Sequence, residues 1–182
     1  MILRRQISQK KENNLYVTKD GPGGRMSAQE KEIKEKIAGL LASQQLAVLS
    51  TQRDGQPYSS LMAFAFTPEL ANILVATGKS TRKHQNLVQE SRVSLLIDNR
   101  ANNANDFHTA MAVTVIGKAQ HIEAAERPEF AKLYLKRHPY LEQFLTSKTT
   151  AFVKIAVSHY VVVAHFQEVM EYRIAATGEV FS

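Results

Sequence analysis

Cysteine and tryptophan are both absent from this chain of 182 residues. The first absence excludes disulfides, zinc–thiolate centres, iron–sulfur clusters and cysteine nucleophiles. Long hydrophobic runs are missing too, since nothing approaches the roughly 18 apolar residues of a membrane span. The opening Met1-Ile2-Leu3-Arg4-Arg5 is not followed by a long apolar stretch, so it does not read as a secretory signal. A soluble cytoplasmic protein with no membrane partner is the expectation. The six histidines, His84, His108, His121, His138, His159 and His165, are scattered without His-Glu-x-x-His spacing, and no metal site is expected. No Gly-x-Ser-x-Gly elbow occurs, so hydrolysis has no visible machinery.

What is present is a globular balance, 44% hydrophobic against 22% charged residues. The net charge of +6 invites a nucleic-acid reading, but its distribution argues against one. Residues 1–36 carry nine Lys/Arg against five Asp/Glu, and residues 37–182 carry fourteen against twelve. The basicity belongs mostly to a leading segment, and the remainder is too balanced for a phosphate-tracking face. Asp20-Gly21-Pro22-Gly23-Gly24 separates that segment from the rest of the chain. Two parts are expected: a flexible basic arm over residues 1–26, suited to draping over a partner, and one domain over 27–182.

Ser27 with Glu30 three residues on has capping-box spacing, and Ile33, Ile37, Leu40 and Leu41 form the apolar stripe of the helix it opens. Strands are expected over Leu46–Thr51, Tyr58–Phe66, Asn72–Thr77 and Arg92–Asp98. A turn at Arg53–Pro57 separates the first two, and Thr67-Pro68-Glu69 turns into the third. A short helix is expected near Thr81–Glu90. A polar loop over Asn99–Asp106 leads to a long strand, Ala110–Ile122, with Gly117 as a bulge or sharp bend. Glu126–Tyr134 reads as helix, ending at His138-Pro139. Ala151–Val157 and Tyr160–Val169 read as two final strands. Six or seven strands joined by tight turns, with helices at the edges, predict a mainly β fold, an antiparallel barrel with peripheral helices.

Two stretches could carry chemistry. In Ala76-Thr77-Gly78-Lys79-Ser80-Thr81-Arg82-Lys83-His84 a strand hands over to a helix whose first turn is crowded with cations. Cations there oppose the helix dipole at about 0.3–1 kcal/mol each. The penalty reverses when an anion sits among the free backbone N–H groups. A phosphate suits the site, with Arg82 gripping it bidentately and Lys83 acting as a point charge; the alternative is a solvated, slightly frustrated helix start. The second stretch, Gly55-Gln56-Pro57-Tyr58-Ser59-Ser60-Leu61-Met62, sets small hydroxyls beside apolar residues, as a flat aromatic ligand or an ordinary barrel strand would require.

Together these stretches resemble the pyridoxamine 5'-phosphate oxidase superfamily, the FMN-binding split barrels. The family's Gly-x-Pro-x-x-Arg turn reads here as Gly55-Gln56-Pro57-Tyr58-Ser59-Ser60, with Ser60 in place of Arg. Its Thr-x-x-x-Ser-Arg-Lys segment reads as Thr77-Gly78-Lys79-Ser80-Thr81-Arg82-Lys83, with Thr81 in the Ser position. A third signature is present as Val113-Thr114-Val115-Ile116-Gly117-Lys118-Ala119. The resemblance covers roughly residues 36–169. It implies an FMN-binding split β-barrel, with FMN bound at a homodimer interface. Arg82 and Lys83 would hold the phosphate, joined by the Thr81 hydroxyl. Ser59, Ser60, Leu61 and Met62 would line the flavin, and Thr77 would touch ring or ribityl. The Asn99–His108 loop would approach a cofactor, that of its own subunit or of the partner, with Asn99, Arg100 and His108 as candidate contributors.

The departures narrow the function. True pyridoxamine phosphate oxidases complete their substrate site with an Arg-Leu-His-Asp-Arg-like ending and a nearby Trp. This chain has no Trp and ends in Glu171-Tyr172-Arg173-Ile174-Ala175-Ala176, which argues against vitamin B6 oxidation. The expectation is an FMN-dependent oxidoreductase acting on a small organic molecule or on flavin, with an electron donor such as NAD(P)H. No side chain is assigned as catalytic acid or base. The alternative is a non-catalytic FMN- or haem-binding module of the same barrel.

Overall fold

The computed structural model describes residues 14–17, 27–164 and 168–174. A four-residue strand, β1 (Asn14–Val17), precedes helix α1 (Ala28–Ser43). There the Ser27 hydroxyl accepts from the Glu30 N–H at 3.1 Å, and the Glu30 carboxylate accepts from the Ser27 N–H at 2.7 Å. The expected capping box is formed. Next come β2 (Leu46–Arg53), β3 (Gln56–Phe66), β4 (Asn72–Gly78), α2 (Arg82–Gln89) and β5 (Arg92–Asp98). The chain continues with α3 (Asp106–Thr109), β6 (Met111–His121), α4 (Arg127–Arg137), a 3-10 turn, α5 (Glu142–Thr146), β7 (Thr150–Ala164) and β8 (Glu168–Arg173). The turn between β2 and β3 tightens to Asp54-Gly55, both at positive φ (52° and 79°), the two-residue hairpin turn that Asp-Gly favours.

Six strands close in the order β7-β4-β3-β2-β5-β6, and β6 pairs back onto β7. Every pairing in that ring is antiparallel. The length of β7 makes this possible. Its first half pairs with β4, Thr150 opposite Gly78 and Ala156 opposite Asn72. Its second half pairs with β8, and its other edge follows β6 from Val153 to Ala164. Strand β1 adds in parallel to the outer edge of β8.

The structure corrects the sequence reading at two places. The segments read as two final strands are one strand, β7, and β8 lies beyond them; residues 165–167, with His165, fall outside the described residues. The bulge expected at Gly117 sits on the opposite strand: Gly117 pairs with Val157 and Ile116 with His159, leaving Ser158 as the extra residue. The Ser158 hydroxyl donates to the Ile116 carbonyl at 2.9 Å, supplying a partner the interrupted ladder lacks. Gly117 lies beside the bulge because a Cβ there would overlap the Ala156 carbonyl oxygen. Helix α4 spans Arg127–Arg137 with His138 as its C-cap, so it ends at His138-Pro139 as the sequence predicts, and Pro139 then starts a separate turn before α5.

Two apolar clusters hold the domain. Inside the barrel, Leu49, Met62, Phe64, Leu95, Val113, Val115 and Tyr160 pack together, and α1 adds Ile33, Ile37, Leu40 and Leu41. A smaller cluster joins Tyr134 of α4 and Leu145 of α5 to Ala65, Leu74, Ala76 and Phe152 on the strands. Arg137 links the two. Its guanidinium stacks at 4.9 Å from Phe64 and 5.4 Å from Phe66, and donates to the carbonyls of Leu41, Ala42 and Gln44. Those are acceptors that the end of α1 leaves without helical partners.

Candidate functional site

Helix α2 begins directly after β4, at the end of the barrel where β2 turns into β3. Thr81 is its N-cap and its hydroxyl is fully used. It donates to the Gly78 carbonyl at 2.8 Å and accepts from the His84 N–H at 3.4 Å. Its single proton is thus committed, so Thr77, 3.0 Å away, is the donor in the Thr77–Thr81 pair. The family resemblance places the Thr81 hydroxyl at a phosphate; in the protomer that hydroxyl sets the helix start.

The cations fall into two sets. Arg82 lies 5.3 Å over the Tyr58 ring, and no carboxylate partners it among the described residues. Lys83 beside it is half-buried and likewise lacks an acidic partner there. The backbone N–H groups of Arg82 and Lys83 have no acceptor among the described residues, and the first turn of α2 holds no acid. Lys79 belongs elsewhere: its ammonium donates to the Lys148 carbonyl at 2.8 Å. What remains at the helix start is two uncompensated cations, two free donors and the positive end of a dipole. This is the chemistry of an anion cradle.

Behind the cradle runs a buried relay that sequence reasoning missed. Asn86 is 2% exposed, and its amide donates to the Thr51 hydroxyl at 3.0 Å. Thr51 in turn donates to the Tyr58 carbonyl at 3.2 Å. The relay ties α2 to β2 and β3 and fixes Tyr58 beneath Arg82. A buried Asn four residues after Arg82 in a short polar helix is the one signal the sequence held.

The second stretch lies along β3, where alternation sorts it onto two faces. Ser59 and Leu61 point outward; Leu61 is 63% exposed, and the Ser59 hydroxyl is 3.3 Å from that of Ser50. Met62 points into the barrel core, so only its backbone can meet a ligand. The Ser60 hydroxyl is buried without a hydrogen-bond partner. It stands where the resembling family carries an Arg.

The Asn99–His108 loop is brought to a different place. Val48 pairs with Leu96 and Ser50 with Ser94, so the end of β5 lies beside the start of β2. The loop therefore sits at the opposite end of the barrel from α2, separated by β5, which spans about 20 Å at strand rise. The Asn99 side chain closes the loop's own mouth, its carbonyl accepting from the Met111 N–H at 2.7 Å. His108 is exposed in α3, and the Arg100 guanidinium pairs with Asp98 at 3.2 Å. Within one protomer, Asn99, Arg100 and His108 do not join Arg82 and Lys83. Among the described residues no three of His, Asp and Glu gather as a metal centre would require, and no helix is long and apolar enough to cross a membrane.

The fold and this cradle define a split-barrel protein, mainly β, with a six-strand antiparallel barrel and helices around it. The model of the pyridoxamine 5'-phosphate oxidase family matches residues 33–164, and the chain belongs to that family. Solved structures give the same fold at low identity. A haem-binding protein from Mycobacterium smegmatis is similar at TM-score 0.70 and 16% identity, over 82% of this chain and 59% of that one. The chain thus spans less than two thirds of that protein's length. A FAD-binding protein from Mesorhizobium loti is similar at TM-score 0.57 and 15% identity, over 75% of this chain and 94% of that one. A putative pyridoxamine 5'-phosphate oxidase from Listeria innocua is similar at TM-score 0.57 and 18% identity, over 72% and 98%. No curated protein sequence matches the chain.

Proposed function

We propose that the protein is an FMN-binding flavoprotein, an oxidoreductase acting on a small organic molecule or on flavin. The observation that carries this is the start of α2, where Arg82 and Lys83 lack acidic partners and two backbone donors are free. A phosphate satisfies all four groups. The orphaned Ser60 hydroxyl is a further polar group awaiting a partner, directly or through water. The bound flavin would supply hydride or electron transfer. The chain's own residues hold and orient it, Arg82 and Lys83 at the phosphate and the outward face of β3 along the ring. Losing the family Arg at Ser60 leaves phosphate recognition to those two cations.

The site belongs to a homodimer in this reading. An outward row crosses the sheet in register, Leu61–Val48–Leu96–Thr114–Val161, and its members are exposed or half-buried in the protomer. Pairing two copies would cover that apolar row. It would also let the Asn99–His108 loop of one subunit approach the cradle of the other, which the protomer alone keeps apart.

The experiment is a comparison of FMN with riboflavin, which lacks only the phosphate. FMN should bind at least tenfold more tightly, and equal affinities would overturn the phosphate assignment. A haem-binding module is the second reading, favoured by the likeness to the mycobacterial haem-binding protein. A Soret band on adding haemin, with no flavin retained, would select it.

A further inference from the structure

A second basic cleft lies on the far side of α2, and nothing in the flavin reading uses it. Its volume is about 560 Å³, within the range of about 300–1,000 Å³ typical of small-molecule sites. The start of β7 and the end of β6 form its floor, and α2 and α5 its walls. Arg82 and His84 are two residues apart, which turns them about 200° from each other around the helix. Arg82 accordingly lies over Tyr58 in the cradle, while His84, Leu87 and Val88 face this cleft.

Three permanent cations line it: Lys79, Arg127 and Lys148. No salt bridge among the described residues neutralises any of them. Glu126, next to Arg127 in the chain, is already paired with Lys154 at 2.6 Å. Lys79 and Arg127 hold backbone carbonyls instead, those of Lys148 and Leu145. On the floor, Thr150 is 5% exposed and its buried hydroxyl has no hydrogen-bond partner. Beside it lies the Phe152 ring, with the Arg127 guanidinium 5.7 Å from its centroid. An unpartnered buried hydroxyl, three unneutralised cations and an apolar surface describe one kind of ligand: a ring carrying an oxyanion.

We propose that this cleft is a separate binding site for a small aromatic or heterocyclic organic anion, a phosphate ester or a carboxylate. The cations and the Thr150 hydroxyl would take the oxyanion, and the exposed Val88 with the edge of Leu87 the ring. The site does not depend on flavin occupying the cradle.

The test is a titration of the full chain with phenyl phosphate, benzoate and phenol, followed by backbone amide shifts, with and without saturating FMN. At least one of the two anions should shift the amides of residues 147–152 and 84–88, with or without FMN, and phenol should not. The stronger anion identifies phosphate or carboxylate as the group recognised. Lys148→Glu, at an exposed position outside the cradle, should weaken binding at least tenfold; Arg127→Gln provides a second variant with the same expectation. Shifts centred on Tyr58 and Arg82, displacement by FMN, equal binding of phenol, or indifference to both substitutions would overturn the proposal. The phenol comparison, the location of the shifts and both substitutions can be read even if the protein binds no flavin.

Discussion

The amide of Asn86 donates to the hydroxyl of Thr51 across a buried 3.0 Å hydrogen bond, joining α2 to the barrel. A helix of eight residues has little stability of its own. Burying Asn86 and Leu87 against β2 is what keeps its N-terminus, and so Arg82 and Lys83, aimed at one place. The cradle is thereby built before any ligand arrives, which lowers the ordering cost of binding.

Arg82→Ala should weaken FMN by about 1.5–3 kcal/mol, the range for a hydrogen bond to a charged group. That is roughly ten- to a hundredfold in affinity. Riboflavin binding should barely change, since the lost contact is to the phosphate. Fluorescence titration with both flavins checks this, and parallel losses would place Arg82 against the ring system instead.

The dimer can be tested on the outward row. Leu61→Lys puts a charge on a side chain that is 63% exposed in the protomer, so folding should shift by no more than about 0.5 kcal/mol. Across a symmetric interface the same lysine would occur twice. Sedimentation should show a dimer for the native chain and a monomer for the variant. A native chain that sediments as a monomer while holding flavin would reject the two-subunit site.

Much of this arrangement was legible in the sequence, for identifiable reasons. The capping box at Ser27, the Asp54-Gly55 turn and the alternating strands are local signals, and each is realised. The closure of β6 on β7 is a long-range event that no local pattern encodes, and the sequence reading split β7 because Ser158-His159 breaks its apolar alternation. The cradle was legible because Thr81, Arg82 and Lys83 are adjacent. The Asn86–Thr51–Tyr58 relay was not, because its members are 35 residues apart at the widest and only folding brings them together. The basic cleft escaped for the same reason: its residues come from α2, α4, the end of β6 and the start of β7, which only folding brings together.

Gly117→Ala should destabilise the barrel although it adds one methyl group. The new Cβ would overlap the Ala156 carbonyl oxygen and lie 3.0 Å from the Ile155 side chain. Backbone on both sides of a closed barrel has little freedom to move apart, so a cost of about 1–3 kcal/mol is expected. Chemical denaturation measures it. A neutral substitution would mean that the Ser158 bulge absorbs the displacement.

Stability should also fall on mild acidification through His159. Burial holds its imidazole below the usual value of 6.5; Glu171, 3.8 Å away, pulls upward and Arg173 pushes down. The unfolded chain therefore binds a proton more readily than the folded one. This contribution is complete above about pH 6.5 and is lost as pH falls through the lower folded value. Melting temperatures of the native chain and His159→Gln from pH 8 to 5 should converge as the pH falls. Parallel curves would assign the acid sensitivity to other groups.

Deleting residues 1–26 tests what the basic arm contributes. The segment carries Arg4, Arg5, Lys10, Lys11, Lys19 and Arg25 against Glu12 and Asp20, and it precedes every residue of the cradle. Its one described element, β1, pairs in parallel with the outer edge of β8, outside the six-strand ring. Removing an edge strand of four residues leaves the ring's own hydrogen bonds intact but exposes the β8 edge. The truncated protein should keep the flavin stoichiometry of the full chain, melt a few degrees lower, and show more concentration-dependent association through the bared strand. An insoluble or flavin-free product would instead make the arm a structural part of the subunit interface.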